Sequence, residues 1–201
     1  MKKLLTILCG ALTLAAAAQI QINPQLGMTL QNLTEAPDGT VVRSAVGGQL
    51  GVDFRVGNRL KFQPGFFLGR NATVVTVEND SVEIEDNLIR TMLKLKALVT
   101  YNIVYKEGFK LRVNLGPTYD ILMSVDNKDD EIQWNKSDFN AGSFNIDGGL
   151  GLDIWCLTIE TGASLGLTPA FKDDADLGKI DSKYFTWYLN LGVVFGDGMD
   201  D

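Results

Sequence analysis

Eleven charged residues stand at alternate positions in stretches whose intervening residues are mostly apolar. The basic members are Arg55, Lys61, Lys94, Lys96, Lys110 and Arg112, and the acidic members are Asp53, Asp120, Asp147, Asp153 and Glu160. Charges that are removed from water must be paired. If one face of each stretch is enclosed, these residues therefore predict a salt-bridge network. The alternative is an ion path or gate lined by the same side chains.

Catalytic chemistry is restricted because the chain contains no histidine. This excludes Ser–His and Cys–His nucleophilic arrangements and zinc sites built on histidine. A reaction would have to depend on carboxylates or lysine alone. We therefore expect no catalytic residues, no cofactor and no metal ligands, and a protein that is not an enzyme.

The stretches that carry these charges have a period of two, which is typical of β-strands with one apolar face. In the last stretch Phe185, Trp187 and Leu189 oppose Thr186 and Tyr188. Eight such segments cover residues 20–30, 46–56, 60–69, 93–103, 109–121, 143–154, 157–167 and 184–195. After the amino-terminal leader, no apolar run is long enough to predict a transmembrane helix.

Two environments can explain this alternation. A soluble barrel that binds a lipophilic ligand would turn its apolar face inward, whereas a membrane barrel turns that face to lipid. The segments run for about 10 to 14 residues by their alternation, whereas soluble strands typically have about 5 to 6 residues and spanning strands need about 9 to 11. The predicted fold class is therefore all-β, an eight-stranded antiparallel up-and-down transmembrane β-barrel.

The connections between the segments alternate between short and long. The short ones are 57–59, 105–108 and 155–156, and the long ones are 31–43, 71–87, 124–140 and 169–182. Short turns at one end and long loops at the other are typical of outer-membrane barrels, so we expect both termini in the periplasm. An eight-stranded interior is just wide enough for its own side chains, which favours the structural salt-bridge network over the ion path.

The predicted long loops are rich in acidic residues. The segment 71–87 contains Glu78, Asp80, Glu83, Glu85 and Asp86 with no basic residue. Clustered carboxylates suit Ca²⁺, but the spacing of an EF-hand loop does not occur. Solvated, mutually repelling loops are the favoured interpretation, and cation binding is the alternative.

The amino terminus is typical of a secretory signal peptide over residues 1–18. Lys2 and Lys3 precede an apolar run, and Ala16 and Ala18 are the small residues before the expected cleavage site. Lipidation of Cys9 is a less favoured alternative, because Leu8 is larger than the residue that such processing normally requires. The barrel domain is then expected over residues 19–195 and an acidic periplasmic tail over 196–201.

The charge of the exported chain excludes one class of partner. Without Lys2 and Lys3 it has 16 basic and 25 acidic residues, a net charge of −9. Nucleic acids are bound by basic surfaces, so no nucleic-acid partner is expected.

The alternating segments also resemble a known family. The stretches "LKLKALVTYNIVYKEGFKLRVNLGPTYDILM" (93–123) and "FNIDGGLGLDI" (144–154) are similar to the small outer-membrane β-barrel proteins of Bacteroidota, the PorT-like group, with an architecture like that of OmpX and OmpA. The resemblance implies a non-enzymatic protein of the cell outer membrane with a structural, adhesive or assembly-associated role. Its implied partners are outer-membrane lipid, the outer-membrane assembly machinery and a protein bound through the loops or the periplasmic rim. In such barrels the assembly machinery reads an aromatic residue at the end of the last strand, here Phe195.

Overall fold

The computed structural model describes residues 20–34, 40–44, 46–79, 82–127, 139–169 and 182–196. Within these ranges the chain forms ten β-strands, and no helix there is long and apolar enough to cross a membrane. The strands are β1 (Ile20–Leu33), β2 (Thr40–Ser44), β3 (Val46–Gly57), β4 (Leu60–Asn79), β5 (Val82–Lys106), β6 (Phe109–Asn127), β7 (Gly142–Ile154), β8 (Leu157–Gly166), β9 (Tyr184–Val193) and β10 (Phe195–Gly196).

The strands close into an eight-stranded antiparallel barrel. Their hydrogen-bonded order is β1, β3, β4, β5, β6, β7, β8 and β9, and β9 pairs back onto β1 with Leu26 opposite Leu191. The two short strands do not add further positions around the barrel. Strand β2 pairs with the distal part of β4, and β10 pairs with β1. Closure leaves no free sheet edge around the barrel wall. The predicted fold class is confirmed.

The polar face of the strands points into the lumen and the apolar face points outward. Along β1, Asn23 is fully buried whereas Leu26 is 69% exposed. The same pattern runs along β9, where Asn190 is buried and Leu191 is exposed. A soluble barrel requires the opposite arrangement, so the alternative of a soluble ligand-binding barrel is wrong.

The three short connections lie at one end of the barrel, which we call the turn end. Residues 58–59, 107–108 and 155–156 link consecutive strands there, and the pairs Ile20–Val56 and Gln21–Gly196 place the start of β1 and strand β10 at the same end. Gly57 and Gly108 have φ angles of 118° and 68°. Tight turns between antiparallel strands require such left-handed conformations. The opposite end, where β1 ends at Leu33 and β9 begins at Tyr184, is called the loop end.

The connection predicted over 71–87 is wrong, because β4 and β5 continue through most of it. Their ladder extends beyond the pair Asn71–Arg90 for eight further pairs and ends at Asn79–Val82. The density of acidic residues suggested a loop, but Thr73–Val77 is an unbroken run of β-branched residues, which favours a strand. Strands also reach into two other predicted loops, since β2 lies in 31–43 and β6 continues to Asn127.

Several predictions fall outside the described residues. These are the signal peptide over 1–18, the acidic tail from Asp197 onward, and the loop segments 128–138 and 170–181. The first residue of the predicted tail, Gly196, belongs to β10 and pairs with Gln21.

Candidate functional site: the charged lumen

The centre of the lumen contains two buried arginines that share one carboxylate. Arg55 on β3 lies 3.2 Å from the Asp153 carboxylate on β7, and Arg112 on β6 pairs with the same group. Arg112 also pairs with Glu160 on β8 at 2.9 Å. Thr158 donates to Asp153 at 2.6 Å and accepts from Arg112 at 3.0 Å. Strands β3, β6, β7 and β8 are therefore tied together across the barrel interior.

Lys96 extends this central cluster from β5. Its ammonium lies 3.5 Å from Asp53 and 3.3 Å from Glu160. It also lies 4.5 Å from the centre of the Phe67 ring, a distance at which a cation interacts favourably with an aromatic face. Gln63 donates to Asp53 at 2.8 Å. The three cations and three carboxylates of the central cluster balance each other in charge.

A second cluster lies nearer the loop end. Lys94 lies 3.4 Å from Asp147 and 3.9 Å from Asp120. Thr118 donates to Asp147 at 3.0 Å, and Lys94 donates to Ser164 at 3.2 Å. Together with the central cluster, this cluster brings nine of the eleven predicted charges into ion pairs.

Lys61 and Lys110 lie towards the turn end, where Lys110 is the register partner of Asp153. Lys61 is buried and donates to the neutral Gln21 side chain at 2.6 Å. The Lys110 ammonium lies 4.7 Å from the centre of the Tyr105 ring.

Among the described side chains, sequence reasoning missed one charged lumen residue, Arg90 on β5. Its guanidinium donates to Gln31 at 2.6 Å and lies 4.1 Å from the centre of the Tyr184 ring. Only 2% of Arg90 is exposed. The available signal was its position: Arg90 is an even number of residues from Lys94 and Lys96, so all three point inward on one strand.

Apolar residues in the lumen were also missed, Phe67 and Leu98 among them. Phe67 and Leu98 occupy inward positions and are fully buried. Both follow the two-residue period of the polar positions on their strands, which was the signal for their orientation. They fill space between the charged side chains, so the lumen interior is not purely polar.

The cavities that border the described lumen residues Lys94 and Arg90 are small. Cavities of about 10 Å³ and 20 Å³ border Lys94, and another of about 10 Å³ lies beside Arg90. A cavity needs about 10 to 15 Å³ to hold one water molecule. These cavities therefore admit about one water each and do not form a wide aqueous path.

The described residues contain no group of three or more His, Cys, Asp or Glu side chains that could hold a metal ion. The acidic side chains predicted to offer a Ca²⁺ alternative, Glu78 to Asp86, lie outside the described side chains. The described carboxylates of the lumen face arginine and lysine instead.

Solved structures of other bacterial membrane proteins are similar to this chain. Ail of Yersinia pestis, in complex with the heparin analogue sucrose octasulfate, is 15% identical, with 89% of this chain and 99% of that chain covered and a TM-score of 0.43. Neisserial surface protein A is 11% identical, with 87% and 95% covered and a TM-score of 0.41. The translocator domain of autotransporter NalP from Neisseria meningitidis is 14% identical, with 96% of both chains covered and a TM-score of 0.35. At these scores the likenesses carry no argument about function.

Comparison with sequences identifies the family. No curated protein matches the chain. The family model for the outer membrane protein beta-barrel domain matches residues 16–172. Because this match spans more than half of a chain that folds as a closed barrel with an apolar outer face, the protein belongs to the outer membrane protein beta-barrel domain family and resides in the outer membrane.

Proposed function

We propose that this protein is a non-enzymatic, PorT-like outer-membrane barrel of the kind found in Bacteroidota, with a structural, adhesive or assembly-associated role. The observation that carries this proposal is the lumen, which is filled by side chains that pair with one another. A filled barrel neither conducts nor stores a ligand, so its function must lie at its two ends and its lipid-facing wall.

The pairing in the lumen argues against a channel. Arg55, Arg112 and Lys96 are held by carboxylates on other strands, and the cavities beside Lys94 admit about one water each. Ions passing through would have to break these buried pairs, each of which is costly to break. We therefore interpret the eleven charges as a structural network.

The same pairing supports a non-enzymatic role. A general base or nucleophile must be free to reach a substrate. Glu160 and Asp53 are fully buried and hydrogen-bonded to partners inside the wall. The chain also contains no histidine, which is the most common general base.

The loop end offers a surface for a partner. A spanning strand needs about 9 to 11 residues, whereas β4 has 20 and β5 has 25. The eight pairs beyond Asn71–Arg90 correspond to about 27 Å of ladder at about 3.4 Å per residue. We place this projection outside the cell and the turn end in the periplasm, so that a protein partner binds at the projection or at the periplasmic rim.

Planar-bilayer recording tests the filled lumen. The full chain should give no conductance steps across the voltages that the bilayer tolerates, because the cavities among the described lumen residues beside Lys94 admit only about one water each. Insertion is verified in the same membranes by protease protection of the barrel, and a porin inserted by the same protocol serves as the positive control. Reproducible conductance from the verified, inserted barrel would contradict the proposal and favour the channel.

A further inference from the structure

The outer wall of the barrel carries an apolar groove at the seam where β9 pairs with β1. Four outward-pointing residues of these two strands line it: Met28, Leu30, Trp187 and Leu189. Val46 on β3 and Thr161 on β8 border it on the neighbouring strands. Its floor is the register pair Thr29–Tyr188, whose side chains are buried in the lumen, so that main chain faces outward there. The groove encloses about 300 Å³.

The groove is suited to hydrocarbon. Its four lining residues on β1 and β9 are between 41% and 56% exposed on the face that meets lipid in a membrane barrel. Pockets that bind small molecules are typically about 300 to 1,000 Å³ in volume and are lined mainly by apolar side chains. In an outer-membrane protein, the molecules that reach this face are membrane lipids, so the groove admits an acyl chain.

A positive charge lies on the same face, two strands away from the groove. The register pairs Met28–Gly48 and Gly48–Arg70 place Arg70 of β4 in one row with the groove. Because neighbouring strands lie about 5 Å apart, the Cα atoms of Met28 and Arg70 are separated by about 10 Å. Gly48 carries no side chain, and a Cβ added there would meet its nearest atom at 3.9 Å. The wall between the groove and Arg70 is therefore open.

Arg70 lies where the apolar band of β4 ends. The outward positions of this strand are apolar from Leu60 to Leu68, and the next outward residue is Arg70, which is exposed. The segment 60–68 is sufficient for about one bilayer crossing, since a transmembrane strand needs about 9 to 11 residues. Its register partners Gly48 and Thr91 are uncharged. The guanidinium is thus placed at the membrane surface on the loop-end side, where lipid head groups begin.

We propose that the groove binds an acyl chain of a membrane lipid whose anionic phosphate head group pairs with Arg70. Arginine and phosphate form charge-assisted hydrogen bonds that are often bidentate. Inside a bilayer an acyl chain gains no hydrophobic free energy from an apolar groove, so the groove orients the chain and the charge pair selects the lipid. The site thereby holds an anionic lipid of the loop-end leaflet over the seam that closes the barrel. This inference concerns the lipid-facing wall and does not depend on the role proposed for the two ends.

Tryptophan quenching in vesicles tests the site. Trp134→Phe and Trp155→Phe leave Trp187, on the groove wall, as the single tryptophan of the chain. This chain is refolded into phosphatidylcholine vesicles that contain a small fraction of phosphatidic acid or of phosphatidylcholine with brominated acyl chains, which quench tryptophan on contact. Brominated phosphatidic acid should occupy the groove about fivefold more favourably, the factor that corresponds to the ~1 kcal/mol contributed by one basic residue at an anionic lipid surface.

Two other results would overturn the proposal. Equal quenching by the two brominated lipids would show that the groove does not select an anionic lipid. If neither lipid quenched Trp187, protein would cover the groove, as in a dimer of two copies of this chain.

Two pairs of variants separate the charge from the groove. Arg70→Gln should abolish the preference for phosphatidic acid, whereas Arg59→Gln, at an exposed arginine in a turn, should retain it. Gly48→Phe should also reduce the preference, because its ring occupies the opening between the groove and Arg70. Gly148→Phe is the matched control on β7, at an outward glycine where an added Cβ meets its nearest atom at 3.5 Å. A preference that survives Arg70→Gln or Gly48→Phe would contradict the proposed site.

Discussion

At the scale of single residues, Arg112 determines how the centre of the lumen is arranged. Its guanidinium pairs with both Asp153 and Glu160, and its register partner on β7 is Gly151. A Cβ atom on Gly151 would overlap the Arg112 guanidinium. The large cation and the residue without a side chain are therefore complementary across one strand pair, and neither could be enlarged without displacing the other.

Replacing Arg112 tests the energy of this arrangement. Arg112→Met should lower the free energy of unfolding by about 3–5 kcal/mol, because it leaves two buried carboxylates with fewer partners. Equilibrium denaturant unfolding of the refolded protein, followed by tryptophan fluorescence, provides the measurement. Arg59→Met is the control, since Arg59 is exposed in a turn and should contribute less than about 1 kcal/mol.

A companion variant separates charge from shape. Adding Glu160→Gln to Arg112→Met should recover part of the loss, because it removes one uncompensated buried charge. A double variant that is as unstable as the sum of its two single variants would indicate that packing, rather than ion pairing, explains the effect of Arg112.

At the scale of elements, β5 and β6 approach each other closely beside Gly116. An added Cβ at Gly116 would lie 2.9 Å from the Leu98 Cα atom and would also overlap the carbonyl oxygen of Ala97. Both obstacles are backbone atoms, which cannot rotate away. By contrast, an added Cβ at Gly69 on β4 would meet its nearest atom, in Gln49, at 3.7 Å. Two lumen glycines on neighbouring parts of the wall thus differ sharply in the space around them.

Alanine at these two glycines should have different effects. Gly116→Ala should destabilise the barrel by about 1–3 kcal/mol through overpacking between β5 and β6. Gly69→Ala should change stability little, since the added methyl group finds ordinary contact distances. Denaturant midpoints of the two variants, compared with the parent chain, measure the difference. Equal midpoints would mean that the wall adjusts around Gly116 without cost.

At the scale of the whole molecule, the barrel closes only when its last strands pair with its first strand. Strand β9 pairs with the distal part of β1, and β10 pairs with the proximal part through Ile22 and Phe195. Phe195 is 55% exposed on the outer face. The residue proposed as the assembly signal is therefore the last aromatic residue of the seam that closes the barrel, and it remains accessible from outside.

Assembly in cells tests the role of Phe195. Phe195→Ala should lower the folded, membrane-inserted fraction several-fold, whereas Leu191→Ala, at another exposed site on the same seam, should leave it near the parent level. Heat-modifiable mobility of outer-membrane fractions reports the folded barrel, and refolding in detergent shows whether each variant can still fold. Deleting residues 197–201 should leave assembly intact. If the deletion impaired assembly while Phe195→Ala assembled normally, the assembly signal would lie in residues 197–201 and not at Phe195.

Much of the architecture could be predicted because strand alternation is a local property. Successive side chains point to opposite faces, so the parity of Lys94 and Lys96 already placed both on one face. The same parity applied to Arg90, but that residue stood next to an acid-rich stretch interpreted as a loop. The acid-rich composition of that stretch led to the wrong prediction of a loop. The hydrogen bonds between β4 and β5 stabilise strands there, although the side chains are equally compatible with solvent.

The sequence by itself determined the eight segments, their connections at the turn end and the residues that share a face. The tertiary structure alone decided which of these charges meet. Lys96 pairs with Asp53 and Glu160, which are 43 and 64 residues away in the chain. No local pattern encodes such partners, because closure of β9 onto β1 sets the curvature that brings opposite walls within reach of one side chain.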